Sequence, residues 1–356
     1  MAVYVAYLIL TLWQSELINA RKNNKRKAIF VFLSFAELFL LTGLRGYDVG
    51  SDTRTYLDYF VARRGISFFE IFLVDPHGFE FGYQIFQNLC AFTGMSETAY
   101  LFCVSAAIYA PFFFFVYKYS SHPEISVLLY FVFDFFYYSL GIFRQMIAVS
   151  ICLFTVPLII KRKPIAFMLV TLLAASFHET ALIWFWIYAI YPYAKSRQIW
   201  WVMTACILAL PVGEWVARPI MESIPRYKYY FIDFEKYRNA PDESFFIFFT
   251  FGTILFGLKF FGYLDKPRKP VEQIALACLC MCVAEGSFAR FFVLTSRAVT
   301  YFSIYLTTLI PSFIDDYFNE KWRYPIKILL SLVLIGLFIS LFYCNKFINP
   351  FKFFWE

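Results

Sequence analysis

One short segment of this sequence concentrates side chains that can do acid–base chemistry. Residues 45–60 hold two arginines, three aspartates, two glycines and three tyrosines, and they follow directly on a long apolar run. A carboxylate beside a cavity can take a proton from a hydroxyl group, and Asp52 is the first candidate for that role. An aspartate at this point can equally cap a helix that starts at Thr53. The sequence leaves both roles open.

Two further residues are candidate general bases. His178 interrupts an apolar run and stands next to Glu179. A lone histidine in such a run is either a structural residue or a catalytic one, and the neighbouring acid makes the two interpretations about equal. Glu80, which follows the polar segment, is the third candidate after Asp52 and His178. The three histidines of the chain do not have the spacing of metal ligands.

Arginines near the ends of apolar runs form a second group of candidates, namely Arg45, Arg144, Arg290 and Arg297. A charge at the centre of a bilayer costs about 2.5–3.5 kcal/mol, so a side chain placed there usually faces a cavity or a partner. A guanidinium matches a phosphate or a carboxylate with two parallel hydrogen bonds. Several arginines at one depth therefore predict a site for an anionic ligand. For Arg144 the alternative is an arginine that snorkels to the membrane surface.

Polar neighbours extend this predicted anion site. Gln145 adjoins Arg144 at the start of an apolar run. Arg290 and Arg297 are seven residues apart, so they share one face of a helix, and Tyr301 follows one turn later. We expect these side chains to contribute to the same binding site.

The composition shows that membrane helices must position these residues. Of the 356 residues, 61% are hydrophobic and 16% are charged, whereas soluble globular chains have about 45–50% and about 25%. The net charge of +7 comes from short basic clusters between apolar runs, as in cytoplasmic loops, so no nucleic acid is expected as a partner. Most of the eight cysteines fall inside apolar runs, and we interpret them as packing residues rather than metal ligands.

We predict an all-α, polytopic integral membrane protein with about twelve transmembrane helices. Basic clusters mark the cytoplasmic turns, which places both termini outside and collects the candidate site residues at the outer ends of the spans. The predicted spans are residues 1–19, 28–44, 97–117, 125–140, 142–160, 164–177, 179–191, 199–216, 245–263, 271–288, 291–310 and 325–343. The short runs 164–177 and 179–191 are either a hairpin or one tilted helix, and we count two spans because two crossings keep Lys195 and Arg197 inside.

Residues 45–96 are predicted to form an outer loop that does not cross the membrane. Its two apolar pieces, 66–74 and 82–93, are too short to span a bilayer, and the number of spans that follow keeps the loop outside. We expect short interfacial or re-entrant helices there. A second outer loop covers residues 217–244. The whole chain, residues 1–356, is expected to form a single transmembrane domain.

Several short motifs, in order along the chain, resemble the EpsG-type family of bacterial polysaccharide membrane proteins. Residues 43–53 are similar to a family signature in which an arginine precedes Val-Gly-Thr-Asp-Thr, with Ser51 in place of the usual threonine. The later motifs are Glu80-x-Gly82-Tyr83, Phe143-Arg144-Gln145, Ser176-Phe177-His178, and Arg297 followed by Tyr301-Phe302. The resemblance covers most of the chain, and the ordered set is more specific than any one motif.

The resemblance implies a Wzy-like polymerase of O-antigen or exopolysaccharide repeat units in the bacterial inner membrane. Such an enzyme moves a growing glycan from undecaprenyl pyrophosphate to a sugar hydroxyl of a new lipid-linked repeat unit, at the periplasmic face. The arginines would bind the leaving pyrophosphate. Asp52, His178 or Glu80 would be the base, and Tyr47, Tyr56 and Tyr83 would stack on sugars.

The same resemblance predicts the partners. They are the undecaprenyl-pyrophosphate-linked oligosaccharide and the lipid bilayer, with a chain-length regulator and a flippase of the same pathway as further candidates. No cofactor is expected, because the lipid already carries the activated sugar and arginines can supply the positive charge.

Two other classes of function stay open. A flippase or transporter of lipid-linked glycan would also have an arginine-lined cavity. Its polar residues should be spread through the depth of the bundle, whereas here they collect at one face. A transferase that adds a single group from a lipid donor would need a similar site. The length of the glycan distinguishes these classes, because loss of a polymerase leaves one repeat unit on the acceptor.

Overall fold

The computed structural model describes residues 2–73, 78–195, 269–288, 295–344 and 351–356, and six isolated positions between 204 and 262. These residues form helices joined by turns, and the described part contains no β-strand beyond one isolated bridge between Arg45 and Phe353. The all-α prediction is confirmed for these residues. The predicted spans 199–216 and 245–263, the predicted loop 217–244 and Arg290 lie outside them.

The helices are numbered in chain order within the described residues. The α-helices are α1 (Ala2–Ile18), α2 (Asn24–Gly43), α3 (Thr53–Ala62), α4 (Phe81–Phe92), α5 (Glu97–Tyr119), α6 (Pro123–Val132), α7 (Phe135–Gly141), α8 (Phe143–Cys152), α9 (Val156–Ile160), α10 (Pro164–Phe177), α11 (Phe185–Ile190), α12 (Pro270–Phe288), α13 (Thr295–Ala298), α14 (Thr300–Ser303), α15 (Leu306–Tyr317) and α16 (Glu320–Cys344). Short 3₁₀ helices cover Phe68–Phe72, Leu153–Thr155, Glu179–Trp184 and Tyr193–Lys195.

Three helical stretches in the described residues are long and apolar enough to cross a membrane. They are Glu97–Tyr119, Phe143–Ile160 and Glu320–Ser340. The helices α6 and α7 together would make a fourth, but they are bent by 61° at the turn between them, as in a broken span or a re-entrant loop. These helices are consistent with a membrane protein, and the total of about twelve spans stays a prediction.

The chain divides into two compact units, of which the first comprises Met1–Leu182 and Thr307–Glu356. Within it, α2 packs along α5, α5 packs on α8, α8 packs on α10, and α10 packs on α4. A second set of contacts joins α6 to α1 and α16. The expectation of a single transmembrane domain is not decided by this division and stays a prediction.

The second unit comprises Ile183–Leu306. In its described residues, α12 packs against α11, α13 and α14. Trp184 stacks on Tyr305 with ring centroids 4.8 Å apart, and the alternating cysteines of α12 are buried. This packing suits a helix that is apolar on all sides.

Antiparallel helices give the first unit two chemically different ends. The stretch Phe143–Ile160 runs from Arg144 to the basic turn at 161–163, and α10 returns from that turn to His178. The helix α2 likewise starts in a basic cluster and ends just before Arg45. Arg45, Arg144 and His178 therefore lie at one end of this unit, and the basic turns lie at the other.

The segment after α2 is held against the end of α7. Gly50 has φ +106°, and a Cβ there would lie 2.1 Å from the carbonyl oxygen of Leu140. Only glycine allows both this backbone conformation and this close approach. The Thr53 hydroxyl donates to the same Leu140 oxygen at 2.6 Å, which places the start of α3. The glycine of the polar segment thus positions the helix that follows it.

Candidate functional site

A carboxylate, a guanidinium and an imidazole meet at this end of the first unit. Oε1 of Glu80 lies 2.8 Å from Nδ1 of His178, and Oε2 accepts a hydrogen bond from Nη1 of Arg144. The backbone N–H of Glu179 also donates to Oε1, at 3.4 Å. The side chains of Glu80, Arg144 and His178 are 11%, 19% and 18% exposed, so the cluster is enclosed but open to solvent. We call these three residues the Glu80 cluster.

A glycine contact brings the two sides of the cluster together. Glu80 stands just before α4, and His178 ends α10 with its N–H bonded to the Ala174 carbonyl at 3.1 Å. A Cβ on Gly82 would lie 2.2 Å from Oγ of Ser176, so only glycine lets the start of α4 approach the end of α10 this closely. The Gly82 contact therefore sets the distance between Glu80 and His178.

Aromatic rings position the guanidinium of Arg144. The Nε donates to the hydroxyl of Tyr56 at 3.4 Å, and the guanidinium carbon lies 4.6 Å from the ring centroid of Phe79. The Tyr56 ring stacks on Phe143 at 4.6 Å and meets Tyr83 edge to face. Tyr56 and Tyr83 are buried, so in this geometry they support the arginine, and their predicted stacking on sugars is not part of it.

The charges of the cluster keep the carboxyl group of Glu80 ionised. Burial raises the pKa of Glu80, but the hydrogen bond with His178 and the positive charge of Arg144 outweigh burial and lower the pKa to about 2. A carboxylate with so low a pKa is a weak general base at neutral pH. Its geometry suits a different task, which is to orient Arg144 and His178.

The bond between Glu80 and His178 defines which histidine nitrogen can act as a base. When Nδ1–H donates to a carboxylate, the proton stays on Nδ1 and the lone pair is on Nε2. This is the arrangement by which a carboxylate orients a catalytic histidine in hydrolases. His178 therefore has the better geometry for proton transfer, and Glu80 acts through it.

Arg45 and Gln145 lie behind the cluster. Arg45 is 1% exposed, and its guanidinium donates to the backbone carbonyls of Thr42 and, at 3.4 Å, Leu140. It also lies 5.3 Å from the ring centroid of Phe143. Gln145 is buried as well. In this geometry Arg45 joins the ends of α2 and α7, and a direct contact of either residue with pyrophosphate stays a prediction.

Asp52 precedes α3, which starts at Thr53 as the capping alternative required. The carboxylate of Asp52 makes no capping hydrogen bond, and the side chain is exposed. The predicted start of α3 at Thr53 is thus confirmed, but Asp52 does not cap the helix with its side chain. The catalytic role of Asp52 stays a prediction, and the residue that the structure places between Arg144 and His178 is Glu80, the third candidate from the sequence.

The remaining candidates belong to the second unit. Arg297 is exposed on α13, and its backbone carbonyl accepts a hydrogen bond from the Thr300 hydroxyl at 2.6 Å. Tyr301 is buried on α14. The roles of Arg297 and Tyr301 in binding stay predictions, as does that of Arg290, which lies outside the described residues.

Sequence reasoning missed the aromatic supports of the cluster. Phe79 lies under Arg144, and Phe143 lies between Tyr56 and Arg45. Each of these phenylalanines directly precedes a charged residue of the cluster. That pairing of an aromatic ring with a following charge is a signal from which both could have been found.

Comparison with known proteins gives the chain its family. The sequence model of the EpsG family matches residues 28–353. No curated protein and no solved structure matches the chain. The EpsG family is a family of Wzy-like polysaccharide polymerases, and its match together with the apolar helices indicates a membrane protein of polysaccharide biosynthesis with a glycosyltransferase-type role. Because the match contains the Glu80 cluster and nearly all of the sequence, the chain belongs to the EpsG family.

Proposed function

We propose that this protein polymerises lipid-linked oligosaccharide repeat units. The donor is a growing glycan on undecaprenyl pyrophosphate, and the acceptor is a sugar hydroxyl of a new lipid-linked repeat unit. The observation that carries the proposal is the Glu80 cluster, in which one carboxylate holds a cation and an imidazole side by side in a partly open site. Membership of the EpsG family supports the same chemistry.

The reaction requires stabilisation of a leaving pyrophosphate, and Arg144 is placed to provide it. A guanidinium carries five N–H groups, and the bonds to Glu80 and Tyr56 use two of them. The others can bind phosphate oxygens as negative charge builds up on the leaving group. The bond that breaks joins the anomeric carbon to the pyrophosphate oxygen, and undecaprenyl pyrophosphate leaves with the electron pair.

The acceptor must lose a proton as the new glycosidic bond forms. His178 is placed to take that proton on Nε2 while Glu80 holds Nδ1–H and stabilises the resulting positive charge. The oxygen of the acceptor then bonds to the anomeric carbon of the donor. Glu80 is a positioning residue in this scheme, because its low pKa makes it a poor base.

The orientation of the chain is also part of the proposal. The basic turns lie at the end of the first unit away from the Glu80 cluster, and basic turns of membrane proteins usually face the cytoplasm. We infer that the cluster faces the periplasm from the inner membrane, with both termini on that side.

The two rival functions differ from polymerisation in their cellular product. A flippase of lipid-linked glycan would leave no repeat unit outside when it is lost. Loss of a transferase that adds a single group would leave long chains that lack that group. The Glu80 cluster favours an enzyme over a transport path, because its carboxylate contacts an imidazole and a guanidinium in the way that orients groups for proton transfer.

The decisive experiment measures glycan length in cells that lack the chromosomal copy and carry single variants. We expect Arg144→Ala and His178→Ala to reduce polymerisation by about 10²–10³-fold, the usual effect of removing one transition-state contact, and to leave a single repeat unit on the acceptor. Glu80→Gln should reduce it less, because the amide can still accept one hydrogen bond.

Matched controls separate loss of chemistry from loss of folding. Glu70→Gln changes an exposed glutamate of the same loop, and Lys161→Ala removes an exposed cation at the opposite end of the Phe143–Ile160 stretch. Both should make chains of normal length at normal protein abundance. Long chains in cells with Arg144→Ala and His178→Ala would overturn the proposed site, and the absence of any repeat unit outside would favour a flippase.

A further inference from the structure

A cavity lies beside the residues that connect α2 to α3. It measures about 480 Å³, and its walls come from Tyr47 and Asp48, one face of α3, the start of α5 and the segment 351–356. Small-molecule sites usually measure about 300–1,000 Å³. All of these elements belong to the first unit. We call this cavity the α3 cleft.

The α3 cleft and the Glu80 cluster lie on two sides of the same short helix. Thr53, Tyr56 and Phe60 form the buried side of α3, and Tyr56 accepts the hydrogen bond from Arg144. Arg54 and Asp58, spaced by one helical turn, lie on the side that lines the cleft. An α-helix is about 10–12 Å wide with its side chains. A chain of sugars held at Arg144 can therefore reach the cleft by passing over α3.

The α3 cleft has a small excess of negative charge, because Arg64, outside its lining, neutralises Glu97 in an ion pair at 2.5 Å. Its lining contains four acids and two bases, namely Asp48, Asp58, Glu97 and Glu356 against Arg54 and Lys352. Asp48 is ion-paired with Arg54 at 2.9 Å, and both side chains are about 70% exposed. Excess negative charge repels a phosphate or an acidic sugar. Carboxylates accept hydrogen bonds from neutral hydroxyl groups.

Exposed aromatic rings give the cleft an apolar surface as well. Tyr47 and Phe354 line it and are 36% and 43% exposed. The hydroxyl of Tyr47 lies 3.4 Å from the hydroxyl of Thr98, which holds the ring at the start of α5. A rigid ring beside polar acceptors matches a sugar, because a pyranose presents one apolar C–H face and a rim of hydroxyl groups.

We propose that the α3 cleft binds neutral sugars of the glycan at a distance from the reacting bond. It would hold the chain while Arg144 and His178 act on its lipid-linked end. The inference rests on the proposed function for the identity of the glycan. The recognition itself requires only the exposed ring of Tyr47 and the carboxylates of Asp58 and its neighbours.

The test measures binding of neutral oligosaccharides to the purified full chain in detergent. The probe is a set of fragments of one or a few repeat units, released from the cells' own polysaccharide by mild acid and with any uronic acids reduced to neutral sugars. Binding is followed by saturation-transfer NMR and by calorimetry. We expect Tyr47→Ala and Asp58→Ala to weaken binding by about tenfold or more, while Arg144→Ala leaves it unchanged. Inorganic pyrophosphate should not compete.

Controls keep this test independent of folding and of the proposed function. Phe69→Ala removes a ring that is 84% exposed outside the cleft and should bind like the wild type. If Tyr47→Ala does not fold, Tyr47→Leu keeps an apolar side chain and removes the aromatic ring, and Asp58→Asn removes only the charge. Unchanged binding to the folded cleft variants, or binding that depends on Arg144, would overturn the cleft. Long glycans in cells with Arg144→Ala would instead overturn the polymerase proposal, whatever the fragments do.

Discussion

Two clusters of the first unit contain the same kinds of side chain in very different surroundings. In the Glu80 cluster a glutamate contacts a histidine at 2.8 Å and an arginine, and all three side chains keep some exposure. In the second cluster, which we call the Glu124 cluster, Glu124 lies 3.7 Å from both His122 and Lys327, and His122 lies 3.3 Å from Asp315. The side chains of His122 and Glu124 are 0% exposed, and that of Lys327 is 6% exposed.

The two clusters differ in the exposure of their central carboxylate rather than in residue type. That exposure decides whether a ligand can reach the charged groups or whether they only hold helices together. Among the described residues, no hydrogen bond reaches either carboxylate oxygen of Glu124, because 3.7 Å is too long for one. Lys327 also contacts Glu16 of α1, so the charges join α1, α6, α15 and α16. The central carboxylate of the Glu80 cluster keeps some exposure, whereas that of Glu124 is fully buried and only the outer acids Asp315 and Glu16 are exposed, at 29% and 45%. His122, Glu124 and Lys327 therefore form a sealed contact between helices.

The largest loss of stability should come from breaking the Glu124 cluster. Lys327→Ala leaves the carboxylate of Glu124 buried without its cation, and such changes cost about 3–5 kcal/mol of the free energy of unfolding. The unfolding temperature of the purified protein should fall sharply. Replacing both partners, as Lys327→Met with Glu124→Leu, should restore most of the loss, because the double variant no longer buries the carboxylate of Glu124 without its lysine and Asp315 still pairs with His122.

Lys321→Ala is the matched control, since Lys321 is an exposed cation of the same helix. Its unfolding temperature should stay close to that of the wild type. Equal stability of the Lys327→Ala and wild-type proteins would show that the Glu124 cluster does not join the helices.

The pH dependence of stability should differ in sign between the clusters. The pKa of Glu80 is lowered to about 2 in the folded protein, so its contribution is present above about pH 4.5 and lost as the pH falls towards 2. Burial lowers the pKa of His122, but the carboxylates of Asp315 and Glu124 outweigh burial and raise it. The contribution of His122 is therefore complete below about pH 6.5 and lost as the pH rises through the raised value.

Each contribution should amount to about 1.5–3 kcal/mol, the range for hydrogen bonds to charged groups. The measurement is the difference in unfolding temperature between wild type and Glu80→Gln, and between wild type and His122→Gln, from pH 3 to pH 9. The first difference should shrink in acid and the second in alkali. Two differences that change in the same direction would contradict the assigned shifts.

A smaller effect should follow from disturbing the geometry of the Glu80 cluster without changing its charges. Gly82→Ala places a methyl group against Ser176, and overpacking of this kind costs about 1–3 kcal/mol. Alanine lowers that cost by about 0.5–1 kcal/mol because it favours the helix more than glycine does. We expect Gly82→Ala to shorten the polymer in protein that still folds, because the contact with Ser176 sets the distance between Glu80 and His178. Gly336→Ala, where no atom lies within 4 Å of the added methyl, should leave polymer length unchanged and raise stability by about 0.5–1 kcal/mol through the same helix preference.

The sequence predicted helices, which the described residues confirm, and it predicted which candidate residues lie near helix ends, but not how those residues contact one another. Arg144 and His178 start and end apolar runs, so the alternation of runs and basic turns was enough to put them at one end. Glu80 lies between Arg144 and His178 because α4 approaches α10 closely. That approach depends on the contact of Gly82 with Ser176, and the periodicity of the sequence does not predict it. The burial of Arg45 could not be predicted from the sequence either. Its partners are backbone carbonyls, and one of them belongs to Leu140, which is far along the chain.

The Glu124 cluster shows the same limit from the other side. In the sequence His122 lies in a short polar stretch between two apolar runs, and its partner Asp315 is nearly two hundred residues away. Charged residues that meet only through tertiary packing produce no local pattern in the sequence. Helix ends and charged turns do produce such a pattern.

The contact between residues 44–46 and 352–354 has a consequence for biogenesis. The N–H of Gly46 bonds to the carbonyl of Lys352 at 2.7 Å, and the N–H of Phe354 bonds to that of Leu44 at 3.0 Å. These partners are separated by about 300 residues, so they form a contact of very high order. During synthesis, α2 emerges from the ribosome long before the segment that completes its outer end. The wall of the α3 cleft that residues 351–356 provide therefore closes late, only after the intervening helices have been synthesised.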